Sequence, residues 1–198
     1  MKSAWYIIMG LLFIAINNPI ISLEKNKLPH IESALEVLKS EVELRPNEGL
    51  VYYKNQPFTG RVMEYYSNGM LAEEIQFQEG IKHGIYQKWF ADGTLSYTST
   101  YLNGLPDGIS RSWWSNGNLR SEVRQVKGKL DGLQTQWYKS GAKFKERNMN
   151  MGLEEGMQRS WRENGKVYNN YEAKHGRIFG LKRASLCFQL DDEEIQIK

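Results

Sequence analysis

Gly60, Gly84, Gly108, Gly132, Gly156 and Gly180 stand 24 residues apart, and so do Gly69, Gly93, Gly117, Gly141 and Gly165. Gly80, Gly104, Gly128, Gly152 and Gly176 keep the same step, so three registers of one period hold sixteen of the 18 glycines in this 198-residue chain. Trp89, Trp113, Trp137 and Trp161 follow the period too, with Tyr65 in that place in the first unit. Self-similarity at a fixed short period marks a chain that folds by stacking one supersecondary unit on the next. It excludes most single-core globular layouts.

Each unit carries two turn signals. Ser67-Asn68-Gly69, Ala91-Asp92-Gly93, Ser115-Asn116-Gly117 and Glu163-Asn164-Gly165 lie between aromatic or β-branched stretches, and Ser140-Gly141 is a weaker version. Asn-Gly and Asp-Gly accept positive φ at both central positions, which predicts two-residue hairpins. A Gly-x-x-x-Gly link, as in Gly80 to Gly84, joins one hairpin to the next. Two turns and two short strands use up 24 residues, predicting an all-β, elongated meander of antiparallel β-hairpin repeats. Two strands at ~4.8 Å advance the array ~9.6 Å per unit, or roughly 50 Å for five units. Alternation sends Ile85, Gln87 and Trp89 to one face and Tyr86, Lys88 and Phe90 to the other. Stacked units then form a column of Ile85, Ile109, Leu133, Met157 and Leu181, and a second of Tyr65 and the four tryptophans.

The phrase Tyr-Tyr-Ser-Asn-Gly-Met-Leu at 65–71, its echo Trp-Trp-Ser-Asn-Gly-Asn-Leu at 113–119 and the Gly-x-x-x-Gly link together resemble the MORN-repeat variant family. Leu50 to Gly60 is similar to the segment that opens such bacterial arrays, and the resemblance covers about residues 50–180. It implies hairpin arrays that bind proteins or membranes and serve as scaffolds, and it supplies no catalytic residues. A branch of the family is labelled as antitoxins of toxin–antitoxin systems. Lys143 in a leucine position, Arg162 in place of the second aromatic and Ser185 in place of Trp depart from the pattern.

The ends differ from the array. Met1-Lys2 followed by the apolar run Ala4 to Ile16 reads as a signal peptide over 1–22, too short for the ~20 residues of a spanning helix. A retained anchor and a buried hydrophobic element are the alternatives. Residues 23–48 form a capping segment with a short N-terminal helix over Leu28 to about Leu44, because Ile31, Ala34, Leu35, Leu38 and Val42 share a helical face. A strand from Val42 to Leu44, pairing with Leu50 to Tyr53, competes for its end. The array occupies 49–188, closing on Leu186-Cys187-Phe188, and an acidic tail fills 189–198.

Little in the sequence suggests chemistry. A net charge of +3 without a basic stripe argues against nucleic acid. His30, His83 and His175 form no metal spacing, and His175 with Cys187 is a weak pair of soft ligands. Glu73-Glu74 and Glu154-Glu155 are adjacent and point to opposite faces if extended. No catalytic residue, metal, cofactor or small-molecule substrate is expected. The candidate partner-binding residues are Trp89, Trp113, Trp137 and Trp161, with Arg111 and Arg159 as a rim or as cations over the indoles. The favoured reading of the same tryptophans is an inter-repeat core in which each packs on the next. The expected function is a non-enzymatic exported scaffold, periplasmic or at the cell surface, that binds a protein partner. A membrane- or glycan-associated module and an antitoxin are the alternatives.

Overall fold

The structure is a computed structural model that describes residues 35–181. The signal segment at 1–22, residues 23–34 of the capping segment, the strand at Leu186-Cys187-Phe188 and the acidic tail lie outside the described residues.

A 14-stranded sheet carries the repeats, and its strands follow sequence order from Gly60–Tyr65 to Arg177–Leu181. Each unit contributes a hairpin: Gly60–Tyr65 with Leu71–Gln78, Ile81–Trp89 with Leu95–Leu102, and Gly108–Trp113 with Leu119–Val126. Gly132–Trp137 with Lys143–Asn150 and Leu153–Trp161 with Val167–Lys174 continue the series. The all-β meander of antiparallel hairpins is therefore the architecture of the described chain.

The two turn signals exchange roles relative to the sequence expectation. The two-residue turns with positive φ at both positions lie in the links: Glu79-Gly80 has φ of 50° and 79°, and Lys127-Gly128 has 48° and 79°. At the Asn-Gly loops only the glycine is positive, as at Gly69, whose φ is 81°. There the Gly69 amide donates to Tyr66 O at 2.9 Å and the Tyr66 amide to Met70 O at 2.8 Å, closing a three-residue loop followed by a bulge. The Asn68 carboxamide explains the choice, because its Oδ1 accepts the Met70 amide at 3.0 Å and holds a turn that needs one left-handed residue.

Both ends of the hairpins are stitched to the next unit. In the links, Gly80, Gly104, Gly128 and Gly152 donate their amides to Phe58, Lys82, Pro106 and Leu130 carbonyls at 2.7–2.8 Å. At the loops, Tyr66 Oη donates to Trp89 O at 2.8 Å, Trp114 Nε1 to Trp137 O at 3.2 Å and Tyr138 Oη to Trp161 O at 2.9 Å. Nearest-neighbour contacts of this kind are what stabilise a repeat array.

The expected helix ending near Leu44 does not form over the described part of its span. Glu36–Leu38 is a strand parallel to Gly60–Tyr65, Lys39–Glu41 is a single 3-10 turn, and Glu43–Arg45 is a second strand. The competing strand reading is the one adopted: Glu43, Leu44 and Arg45 pair with Tyr52, Val51 and Leu50. Val37 and Leu38 face Val62 and Met63 across the parallel pair. A long-range edge thus overrides a helical spacing five residues strong.

The apolar core sits at this N-terminal end. Val37, Phe58, Val62, Ile75 and Phe77 are buried together, with Val42, Val51, Tyr53 and Tyr86 packed against them. Gly80 permits the fit, since a Cβ there would lie 2.9 Å from the Val51 carbonyl of the small Glu43–Arg45, Leu50–Tyr53, Gln56–Pro57 sheet. Beyond the core the buried side chains are largely small or polar: Ser99, Ser110, Gln134, Gln158 and Ser160.

Candidate functional site

The register turns the repeat period into rows that cross the sheet. On one face the successive partners are Met63, Glu74, Gln87, Thr98, Arg111, Glu122, Thr135, Glu146, Arg159 and Asn170. Beside that polar row, Trp89 pairs with Leu95, Trp113 with Leu119, Trp137 with Lys143 and Trp161 with Val167. On its other side stand Ile85, Ile109 and Leu133, exposed by 46%, 45% and 52%.

The four tryptophans are half-buried. No ring contact among the described residues joins two of them; the ring pairs are Tyr53–Phe58, Phe58–Phe77, Tyr86–Tyr97, Tyr86–Tyr101 and Tyr138–Phe144. The Trp161 ring instead has Lys143 Nζ of the preceding hairpin over it at 5.5 Å, and each of the four indoles leaves part of its surface to solvent. The aliphatic row, the polar row and the indole row lie side by side on this tryptophan face.

The arginines sit in the polar row between the two apolar ones. Arg111 Nε donates to Glu122 Oε2 at 2.7 Å, while Arg159 stands opposite Glu146. The cations placed over tryptophan rings are others, Arg120 at 4.7 Å from Trp114 and Lys143 at 5.5 Å from Trp161. Arg111 is thus tied to a carboxylate on its own face.

The opposite face has its own row, Glu64, Glu73, Lys88, Tyr97, Ser112, Ser121, Gln136, Lys145, Ser160 and Asn169. Its N-terminal part is a charge network. Glu73 accepts from Lys39 Nζ at 2.8 Å and Tyr86 Oη at 2.6 Å, and Lys88 Nζ lies 3.1 Å away. Burial pushes the Glu73 carboxyl up, but the bonds from Lys39, Tyr86 and Lys88 outweigh it and hold the pKa at about 2. Lys39 also bonds Glu64 at 2.7 Å, so this network fastens the 3-10 turn to the first hairpins. Farther along, burial and a bond to Glu154 push the Tyr171 hydroxyl up to about 12. These groups are held in fixed protonation states near neutrality, which suits structure rather than proton transfer.

Among the described residues no group of three or more His, Cys, Asp or Glu is placed to hold a metal. His83 is half-buried within the strand Ile81–Trp89 rather than in a turn, and His175 occupies a link turn with φ of 50°. Cys187 lies outside the described residues. The serine–glutamine row was not singled out from the sequence; its signal is Ser112 and Ser121, which stand where the neighbouring units have Lys88 and Tyr97, then Gln136 and Lys145.

A stack of 24-residue antiparallel hairpins with a glycine frame and a tryptophan row is the class of protein this geometry defines. The model of one family, the MORN repeat variant, matches residues 58–79, 82–103 and 106–126. These three consecutive units are thus matched as MORN repeats of the variant kind. A comparison with curated proteins found no match. MORN repeats suggest a repeat-based scaffold and are generally a module without catalysis.

Proposed function

We propose that the array is a non-enzymatic scaffold, exported to the periplasm or cell surface, that binds a protein partner through its tryptophan face. The observation that carries this reading is the half-exposed row of Trp89, Trp113, Trp137 and Trp161 beside the exposed Ile85, Ile109 and Leu133. Apolar rows rimmed by charge suit a protein surface, and indole supplies large contact area with one N–H donor. Arg111 and Arg159, with Glu122 and Glu146, set register within the contact rather than its strength. Export is supported by the apolar run from Ala4 to Ile16.

The test is fractionation of cells expressing the full chain, with mass spectrometry of its N-terminus, followed by Trp113→Ala in cross-linking from the tryptophan face. An exported form that begins near Leu23 and a variant that loses its cross-linked partner support the reading. Half-burial limits the variant's stability loss to about 1.5–3 kcal/mol, against ~3–5 kcal/mol for a fully packed aromatic. An intact Met1 in the cytoplasm, bound to a small toxic protein, overturns export in favour of an antitoxin. A large stability loss with partner cross-linking intact makes the row a core instead.

A further inference from the structure

The face opposite the tryptophan row holds a groove of about 320 Å³ at the step between the third and fourth hairpins. Trp114 and Phe144 wall it, Trp137 of the tryptophan row borders it, and the run Ser112, Ser121 and Gln136 passes through it. Arg120 lines it as well, its guanidinium 4.7 Å from the centre of the Trp114 ring. The opening follows from side-chain size. One unit earlier the same cross-strand pair is Lys88 with Tyr97, and one unit later it is Gln136 with Lys145. Two serines in sequence leave a gap that a tyrosine ring or a lysine chain fills elsewhere.

The lining groups define what the groove takes. Ser112 Oγ and Ser121 Oγ lie 2.7 Å apart and share one proton, which leaves an O–H and several lone pairs free. The Gln136 carboxamide makes no hydrogen bond among the described residues, so it offers two donors and an acceptor. Arg120 has no carboxylate partner among the described residues, yet stacking on Trp114 holds its fork in place. Aromatic walls, a hydroxyl-and-amide floor and one unpaired guanidinium match a flat, hydroxyl-rich ring with a carboxylate. We propose that this groove binds the acidic sugar of a glycan, a uronic acid whose ring stacks on the aromatic walls and whose carboxylate pairs with Arg120. A single cation does not suit an anionic membrane, which is held by clusters of them. The polar floor of the site lies on the other face from the proposed protein contact, and Trp137 is the one residue the two share.

The full chain is titrated with a hyaluronan tetrasaccharide and with trigalacturonate, followed by tryptophan fluorescence and calorimetry, with neutral chitotetraose and triglutamate as controls. Saturable binding of either uronic probe is expected, at least about tenfold tighter than chitotetraose. Arg120→Gln, at an exposed position, should weaken it about tenfold while the melting temperature holds. Ser121→Tyr should abolish it by filling the groove as Tyr97 does one step earlier. If that second variant unfolds, Arg120→Gln decides alone. Binding by neither uronic probe, undiminished binding by Arg120→Gln, or equal affinity for triglutamate overturns the proposal; the last makes the groove a peptide site.

Discussion

The first hairpin and the fourth share one glycine frame but bury opposite things. Around Gly60–Tyr65 the interior is Val37, Phe58, Val62, Ile75 and Phe77; around Gly132–Trp137 it is Gln134, with Met149 across the strand pair. The difference lies in what covers the sheet. At the N-terminal end a parallel strand closes the sheet's edge and Val42, Val51 and Tyr53 of the segment that follows it pack on the first units, so apolar side chains there are dry. Farther along, nothing among the described residues outside the array covers that face, and the interior is closed by cross-strand neighbours. Along this strip Met149, Tyr171 and Ala173 are the buried apolar side chains among the described residues, and the other buried ones are serines and glutamines that bond each other or the backbone. Ser99 and Ser110 meet at 2.7 Å, and Ser112 and Ser121 do the same. Glycine and turn positions set the shape of a unit, while its neighbours decide what its interior holds.

If that contrast is right, Phe58→Ala is the most damaging of the simple substitutions. Phe58 is 2% exposed and touches both Tyr53 and Phe77, so truncation should cost ~3–5 kcal/mol in a urea unfolding series on the full chain. A loss no larger than that of a half-exposed aromatic sinks the idea of a concentrated core. The counterpart in the polar region is Gln134→Leu. Gln134 Oε1 accepts the Arg124 amide at 3.0 Å, and its Nε2 donates to the Arg124, Asp131 and Gly132 carbonyls at 3.0–3.2 Å. Leucine fits the volume but leaves those backbone groups unpaired, at a cost of about 1–3 kcal/mol. A stabilised Leu variant would mean that the polar strip tolerates an apolar core after all.

Acid separates the two regions differently. Glu73 titrates at 4.5 in its unperturbed form and at about 2 in the fold, so the folded state favours its charged form. The stabilisation is complete above about pH 4.5 and is lost as pH falls towards 2. Its partners Lys39 and Lys88 are half-exposed and screened, which holds the effect to about 1–2 kcal/mol. Protection against hydrogen exchange, taken relative to the intrinsic rate at each pH, should therefore fall at Val37 and Leu38 on acidification, while the strand Gly132–Trp137 keeps its protection. The Glu73→Gln variant should show no such acid step in exchange at the N-terminal end. An equal loss of protection in both regions would place the acid-sensitive contacts elsewhere.

Much of the array was legible because glycine spacing is a local signal that repeats five times and leaves little room for an alternative. The turn types were not. Asn-Gly suits a two-residue hairpin in general, but here the Asn68 and Asp92 side chains accept amides two residues on and favour a three-residue loop. Glu79, Lys127 and Met151 adopt positive φ in the links without belonging to residue types that favour it. Only stacking against the preceding unit, as in the Gly128 bond to Pro106, demands it. The N-terminal strand was hidden for a similar reason. Its partner Gly60–Tyr65 lies a full turn of the chain away, and no window around Glu36–Leu38 contains that information. The tryptophan row was placed by period alone, yet its half-burial, with no two of the rings in contact, was not legible from that period.

The smallest effect tests whether the loop edge is stitched by one bond per unit. Tyr66 and Tyr138 use their hydroxyls, and Trp114 its indole N–H, to reach the carbonyl of the tryptophan in the next hairpin. Phe90 holds the same place in the second unit and has no donor, so the Trp113 carbonyl lacks the bond its counterparts receive. Phe90→Tyr adds one oxygen where two sister units already carry it in the same backbone setting. The expected gain is about 0.5–1 kcal/mol, the net worth of one hydrogen bond, read as a higher urea midpoint with an unchanged slope. An unchanged midpoint would mean that water already serves that carbonyl, leaving the link-edge glycine bonds as the dominant stitch between units. A rise confined to exchange protection at Trp113 and Trp114 would locate the gain at that one step, as nearest-neighbour stacking requires.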